Sequence, residues 1–534
     1  MNPSYNKDIL LCTLNSTYQH SSFGLRYIFA QMGDLTDKTE LIEWTIKENP
    51  RNIVEKILSY NPKIVGFGVY IWNTDEIFKV CSVLKKVAPH IELVLGGPEI
   101  SYETETQKLY QLADHIICGE ADFSFRDFCM QHLNGETHQE KIIRSILPAI
   151  DQIQLPYYLY NENDIANRVI YVEASRGCPY KCEYCLSSLD KSVRSFNLDL
   201  FLIEMQKLIE RGAQSFKFVD RTFNLSPTTS TRILNFFLEQ LNKKQLFLHF
   251  EMVPDRLPQE IRTLIKQFPH GTLQFEVGIQ TLNPVVAANV SRKNDLIKVE
   301  ENFKYIRENT HVHTHADLIV GLPGETMESF ASGFDRLAVM GPDEIQVGIL
   351  KRLKGTPIIR HEKTFDMRYQ DFPPYQILST DTMSYQNLQT MNRFAKFWDL
   401  YANSGDFPHF MKWMKETEGS FFNRFMRFVD FLSEKYSETH SISLINLSEK
   451  AWLYIQEQLI ASGATEEEAL SFAIETIKAD YCDGYKKRDI PPFMKPFYRD
   501  PKSGTSENAH LPIYKTSVKK NKLNERQLQH VGES

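Results

Sequence analysis

The sequence predicts an α/β protein in three parts: an N-terminal doubly wound parallel sheet, a central partial (β/α)6 barrel and a mostly helical C-terminal domain. Three observations lead there. Short apolar runs alternate with helix-length segments over residues 8–133, a second alternation starts at Arg168, and after Thr356 the strand signal fades into helical periodicity. Expected boundaries are 1–135, a linker at 136–167, 168–355, 356–500 and a flexible tail at 501–534, where Lys, Asn, Ser and Gln predominate.

In the first part DILLCTL, TELIEWTI, KIVGFGV, IELVLGG and HIICG read as strands. Helices are expected at 22–32, 50–60 and 74–87, with two more after Ser101 and Glu120; Pro50 and Thr74 are suitable helix starts. Pro148 and Pro156 mark the linker. The barrel strands are RVIYVEAS, SFKFVD, LFLHFEM, TLQFEVGI, HTHADLIVG and EIQVGIL. Six such units in about 180 residues fall short of the ~250 that a closed eight-unit barrel takes. Helices are expected at 381–404, 420–435, 447–462 and 465–481; the stripe Phe421, Phe422, Phe425, Phe428 is read as helix packing.

The chain has 534 residues and a formal net charge of −7, so no general basic footprint for nucleic acid exists. The N-terminus has no secretory pattern, and no apolar run approaches bilayer length. Eight cysteines in so long a chain are not a disulfide framework. A cytoplasmic protein without a membrane partner is expected.

Three of those cysteines crowd together as Cys178-x3-Cys182-x2-Cys185, just past the first barrel strand, at the end where barrel enzymes build active sites. Three thiolates can hold three irons of a four-iron four-sulfur cluster and leave the fourth iron open to a small molecule. Structural zinc would ask for a fourth Cys or His at the usual spacing, which is missing nearby. The segment resembles the radical S-adenosylmethionine (SAM) superfamily, and the likeness runs through the barrel. It implies a SAM site built from Tyr184 beside the adenine, Asp220 near the methionine amino group, Glu251 at the ribose, Glu276, Gly278 and Gln280 in the fourth-strand motif, Arg292 at the carboxylate, and Ile319 and Leu322 in ADLIVGLPGET at the adenine. Taken singly, a strand-end acid is commonly only a cap or ion-pair partner, and a Gly-Leu-Pro-Gly run only a turn.

In the first part, loops with small and polar residues follow the strands: Ser21–Leu25, Tyr70-Ile71-Trp72-Asn73, Gly96-Gly97-Pro98-Glu99 and Cys118-Gly119-Glu120. Strand C-termini are where open α/β sheets bind ligands, and glycine there admits a flat, bulky one. These segments, with the barrel behind them, resemble cobalamin-binding domains of radical SAM enzymes. Ser21, Leu25, Tyr70, Trp72, Asn73, Gly96, Gly97, Glu99, Gly119 and Glu120 are the implied cobalamin contacts. His20 lacks the Asp-x-His-x-x-Gly context of cobalt-ligating domains, so no histidine ligation is expected and His20 is read as a loop residue.

The pair of cofactors implies methyl transfer to an unactivated centre of a small-molecule or peptide substrate, after SAM is reductively cleaved at the cluster. It also implies an electron donor such as flavodoxin or ferredoxin. Three other readings stand: radical rearrangement without methylation, RNA methylthiolation with a second cluster on Cys12, Cys81 and Cys118, and a non-catalytic cobalamin or SAM sensor. The C-terminal part, notably FPPYQILSTDTMSY and WDLYANSG, resembles the uncharacterised extension of a cobalamin-radical subgroup and is expected to cover the barrel mouth. Cys482 is read as an ordinary buried cysteine.

Overall fold

The computed structural model describes residues 6–435, 442–484 and 488–497. The expected tail lies outside them. Strands β1 (Ile9–Asn15), β2 (Thr39–Thr45), β3 (Ile64–Gly68), β4 (Glu92–Gly96), β5 (His115–Cys118) and β6 (Ile142–Arg144) form a parallel sheet ordered β2-β1-β3-β4-β5-β6. Helices α1 (Phe23–Ala30), α2 (Pro50–Ser59), α3 (Thr74–Val87), α4 (Lys108–Leu112) and α5 (Ser124–Leu133) cover both faces. Leu25, Phe125 and Phe128 pack on one face; Ile53, Ile57, Ile77 and Leu84 pack on the other. The order reverses between β1 and β3, and such a switch point opens a crevice at the strand C-termini.

β6 and the short helix α6 (Glu162–Asn167) lie within the stretch expected as a linker, and β6 pairs with β5 in register Ile116↔Ile142. A three-residue strand leaves no periodicity to read. Its pairing is set by what β5 leaves exposed, not by its own sequence.

The central sheet is ordered β14-β13-β12-β11-β10-β7, all parallel. Its strands are β7 (Ile170–Val172), β10 (Ser215–Phe218), β11 (Phe247–Met252), β12 (Leu273–Gln280), β13 (His313–Val320) and β14 (Glu344–Ile349). A small antiparallel pair, β8 (Ser175–Arg176) with β9 (Arg194–Ser195), leaves β7 and closes the base of the cysteine loop. Outside the arc run α7 (Leu198–Glu210), α8 (Pro227–Leu241), α9 (Gln259–Ile265), α10 (Pro284–Asn289), α11 (Leu296–Asn309) and α12 (Met327–Met340).

A partial barrel has two free edges, and both are covered. At β7 the backbone N–H of Val169 donates to the Gln19 carbonyl (3.1 Å), and His20 Nδ1 meets the Tyr171 hydroxyl at 2.6 Å. At β14 the Asn403 amide accepts from Ile345 N–H (3.2 Å) and donates to Ile345 C=O (3.0 Å). Asn403 belongs to the WDLYANSG segment, so that motif seals the barrel edge.

The C-terminal part holds a short hairpin, β15 (Arg368–Tyr369) with β16 (Ile377–Ser379), then α13 (Tyr385–Trp398), α14 (Pro408–Glu416), α15 (Phe421–Lys435), α16 (Leu444–Ala461) and α17 (Glu466–Ile477). The hairpin and α14 escape the sequence reading because both are short. The phenylalanine stripe packs as expected: the Phe422 ring lies 4.7 Å from Phe394 and 5.7 Å from Phe334. Cys482 is buried in the same core, which pushes its thiol up to about 11. Among the described residues no helix is long and apolar enough to cross a membrane.

Candidate active site

The cysteine loop is held at its base before any metal is considered. Gly177 sits at φ +90°, and a Cβ there would collide with the Ser192 carbonyl oxygen, so the loop closes on itself only through glycine. Cys178 N–H donates to Asp190 C=O (3.3 Å). Cys178, Cys182 and Cys185 line one cavity of about 150 Å³, with Tyr184, Arg221, Glu251, Glu276, Gly278, Gln280, Arg292 and Asp317 around it. Burial pushes the Cys178 thiol up, so a bound metal would have to displace its proton. Among the described residues no group of three Cys, His, Asp or Glu side chains is placed to hold one metal ion. A cubane asks for something else, three thiolates on three corners. The donor set fits that requirement.

Arg292 reaches Cys182 Sγ (3.4 Å) and the Tyr184 hydroxyl (3.3 Å), and donates to Gly278 C=O. A Cβ at Gly278 would lie 2.8 Å from Gln280 Nε2, so the glycine leaves room for the Gln280 amide beside Arg292. Gln280 itself has φ +71°, at the irregularity where β12 loses register with β13. Deeper in the barrel the acids are paired. His249 Nε2 lies 2.8 Å and Lys217 Nζ 3.4 Å from Glu276, and Arg221 lies 3.6 Å from Glu251. Although burial works against it, the His249 hydrogen bond and Lys217 hold the Glu276 carboxyl well below its usual range. Asp317 is raised by burial and by the carboxylates of Glu276 and Glu251.

Three residues implied in the SAM site are placed elsewhere. Asp220 turns back to accept from Ala174 N–H (2.9 Å) and Ser175 Oγ (2.6 Å), and burial lifts its carboxyl to about 7. It shapes the strand that leads into the cysteine loop. Leu322 is fully buried in the barrel core, and Ile319 packs against that core. Neither lines the cavity.

Within ADLIVGLPGET the buried acid is Glu325, whose Oε1 accepts from Thr281 (3.0 Å) and Ser329 (3.1 Å) and whose carboxyl burial lifts to about 7. The folded protein therefore keeps a proton that the unfolded chain releases near pH 4.3. The contribution of Glu325 to stability is fully present below that value, falls as pH rises towards 7 and is lost above it. Glu325→Gln is expected to flatten this fall, which amounts to at most about 4 kcal/mol; urea midpoints from pH 5 to 8 measure it.

A second, larger cavity of about 400 Å³ opens at the switch point of the first sheet. Its lining includes Leu11, Leu25, Gly66, Gly68, Tyr70, Gly96, Gly97, Gly119, Glu120 and Phe125. Gly97 has φ +107°, and a Cβ there would sit 2.5 Å from the Val69 carbonyl oxygen. Glycine at 97 thus lets the loop after β4 pack against the end of β3, and with Gly66, Gly68 and Gly96 it lines the cavity without a side chain.

Four implied cobalamin contacts do not reach this cavity. Ser21 Oγ faces Val169 C=O at 3.5 Å. Asn73 is buried and donates to Leu14 C=O (3.0 Å) and Gly68 C=O (3.2 Å), tying the ends of β1 and β3 together. Trp72 stacks on Tyr70 at 4.5 Å and donates to Leu14 C=O. Glu99 points to Tyr375 and Lys354 in the C-terminal part. Glu120 lines the cavity, but its carboxylate is already engaged by Arg176 (2.9 Å) and Arg194. His20 is absent from the cavity wall.

Sequence reading missed the residues that join the two cavities. Arg221 and Ser187 line both. Arg176, one residue before Gly177, binds Glu173 (2.8 Å), Glu120 and Asp122 (3.1 Å) and lies over the Tyr27 ring at 4.4 Å. Its neighbourhood to the cysteine motif was the only available signal.

Residues 172–337 match the radical SAM superfamily, residues 9–128 the B12 binding domain, and residues 363–531 a family described as a protein of unknown function. An uncharacterized methyltransferase of Pyrococcus horikoshii is 22% identical over 366 residues, 62% of this chain and 76% of that protein. The cobalamin-dependent radical SAM methyltransferase TokK of Streptomyces tokunonensis is 22% identical over 340 residues, 57% of this chain and 49% of TokK, so the chain spans about half of that relative. The ribosomal protein uS12 methylthiotransferase RimO of Bdellovibrio bacteriovorus is 26% identical over 229 residues, 40% of this chain and 50% of RimO. In fold the chain is similar to the cobalamin-dependent radical enzyme OxsB with aqua-cobalamin bound, with a TM-score of 0.58, 12% identity, and coverage of 89% of this chain and 84% of OxsB.

Proposed function

Because the chain belongs to the radical SAM enzymes that carry a cobalamin-binding domain, we propose that it methylates an unactivated centre of a small-molecule or peptide substrate. When bound, the cluster and the corrinoid supply reductive cleavage of SAM and a transferable methyl group. The observation that carries the reading is the shared wall: Arg221 and Ser187 border both the cysteine cavity and the cavity over the first sheet. Two cofactors held there would face one another across a single layer of side chains.

The chain's own residues have definable tasks. Cys178, Cys182 and Cys185 supply three thiolates. Arg292 offers its guanidinium to the SAM carboxylate, and Tyr184, Glu251, Glu276 and Gln280 offer the ring and polar groups around the nucleoside. Leu25, Tyr70, Gly96, Gly97, Gly119 and Glu120 bound the corrinoid cavity. Arg221, drawn towards Glu251, balances charge between the two cavities. An electron donor of the flavodoxin or ferredoxin class would reduce the cluster.

The methylthiotransferase reading needs a second cluster on Cys12, Cys81 and Cys118. Cys12 and Cys81 have no exposed surface, and burial pushes both thiols far up. Those thiols are held protonated inside the apolar core of the first sheet.

Anaerobic reconstitution with iron, sulfide and hydroxocobalamin tests the proposal. One cluster and one corrinoid per chain are expected, with both 5′-deoxyadenosine and S-adenosylhomocysteine formed on turnover. Two clusters without corrinoid would overturn it, and 5′-deoxyadenosine without S-adenosylhomocysteine would favour rearrangement.

A further inference from the structure

The segment that follows β14 contacts one residue beside the lining of each cavity: Glu183, between Cys182 and Tyr184, and Glu99, two residues beyond Gly97. It is a closed excursion: Lys351 bridges Gln376 at its base, and Arg352 N–H donates to Tyr375 C=O (2.9 Å). At its far side a short 3-10 turn, Pro357–His361, docks on Glu183, the residue between Cys182 and Tyr184. His361 Nε2 lies 2.9 Å from Glu183 Oε2, Arg360 Nη2 lies 2.5 Å from Oε1, and Ile358 N–H donates to Glu183 C=O (3.0 Å). Ser291, next to Arg292, also donates to this carboxylate. Near its base the same segment meets the loop after β4. The Tyr375 hydroxyl donates to Glu99 Oε1 (2.7 Å), Lys354 Nζ stands 3.9 Å from Glu99, and Arg352 binds Glu103 at 3.0 Å.

Glu183 and Glu99 are both buried, with 4% of each exposed. A buried carboxylate is stable in its charged form only when paired and hydrogen-bonded. Among the described residues, the Lys, Arg and His side chains within 4 Å of these two acids all come from the one segment. One acid sits inside the cysteine motif, and the other lies two residues beyond Gly97.

We propose that residues 351–376 form a positioning strap, in which Arg360 and His361 fix the cysteine loop through Glu183 while Lys354 and Tyr375 fix the corrinoid loop through Glu99, so that one segment sets the spacing of the two cofactors. It rests on the assignment of the cluster and the corrinoid to these two cavities. None of the strap residues touches a reacting atom; each acts through another side chain.

The test uses the full chain, reconstituted with cluster and hydroxocobalamin, as wild type, Arg360→Gln, Tyr375→Phe and the double variant. Arg360 is largely exposed and Tyr375→Phe removes one oxygen, so both changes preserve the fold; thermal midpoints check this. Electron paramagnetic resonance of the reduced cluster with and without SAM, the cob(II)alamin spectrum, and the dipolar interaction between the two are the readouts. About tenfold more SAM is expected to bring out the cluster's spectral change in Arg360→Gln, as is common when a partner behind a metal ligand is lost. Corrinoid retention is expected to weaken about tenfold in Tyr375→Phe. Each single variant should broaden the cluster–cobalt dipolar interaction, and the double variant should lose less than the product of the singles. Losses confined to each variant's own cofactor and multiplying in the double would overturn the strap in favour of two separate anchors, and so would unchanged spectra. A wild-type protein that retains neither iron nor corrinoid would instead overturn the cofactor assignment, and the strap with it.

Discussion

Alanine at Cys178, Cys182 or Cys185 is expected to leave a folded protein that holds little iron and yields no 5′-deoxyadenosine, a loss of several orders of magnitude, because the bond-breaking chemistry belongs to the cofactor. The fold does not depend on these thiols. The loop that carries them is closed at its base by β8 and β9, by the Gly177 turn and by the Asp190 carbonyl, none of which uses a cysteine side chain. Circular dichroism and thermal midpoint should therefore stay near those of the parent, while iron content and the visible absorption of the reconstituted protein collapse. Equal iron in the triple alanine variant and the parent would remove the basis for the whole functional reading.

Arg176→Met should instead strike stability, by about 3–5 kcal/mol, the usual result of removing one partner from a buried charge group. Arg176 is the hub on which Glu173, Asp122 and Glu120 converge, and the first two are nearly inaccessible. Without the guanidinium these carboxylates stay buried without their main counter-charge, and the Glu173 carboxyl, which burial already raises in the parent, is pushed up further. The deficit against the parent is then largest at neutral pH and shrinks as pH falls towards 4, where the Glu173 carboxyl takes up a proton in both proteins. Denaturant titrations at pH 5 and 7.5 measure the difference. Arg176→Lys keeps one charge but not the planar fork that serves three acids, so an intermediate loss is expected. Hydroxocobalamin binding should weaken in both variants, since Arg176 joins the β5 loop to the cysteine loop across the cavity.

These two predictions differ in how far the sequence foretold them. The three cysteines announce themselves by spacing, and their place after a strand follows from hydrophobic periodicity. Both sheets were legible for the same reason. The strands are short and apolar, their partners are near in sequence, and parallel strands need the helices that the alternation supplies. Glycine was legible too at Gly97, where only a residue without a side chain can approach Val69. Site residues that lie on the strands' own inner faces, such as Glu251, Glu276 and Gln280, reach the cavity because a strand's alternation fixes which way they point.

Residues at the ends of loops were another matter. Asp220, Asn73 and Glu99 have the right type and position for cofactor contacts, yet Asp220 shapes the chain ahead of the cysteines, Asn73 ties strand ends together and Glu99 meets the C-terminal segment. Their side chains are drawn by whichever unsatisfied backbone or charged group the fold brings near, and that is invisible in one dimension. By itself the sequence determined the chemistry of the donor set, the two parallel sheets and the glycines that must line their ends, since each depends on local spacing and backbone conformation. Only the tertiary structure decided that the two cavities share Arg221 and Ser187, that Arg176 binds acids from both parts, and that one segment after β14 grips both loops. Those arrangements depend on charges distant in sequence being buried together, where each must find a partner.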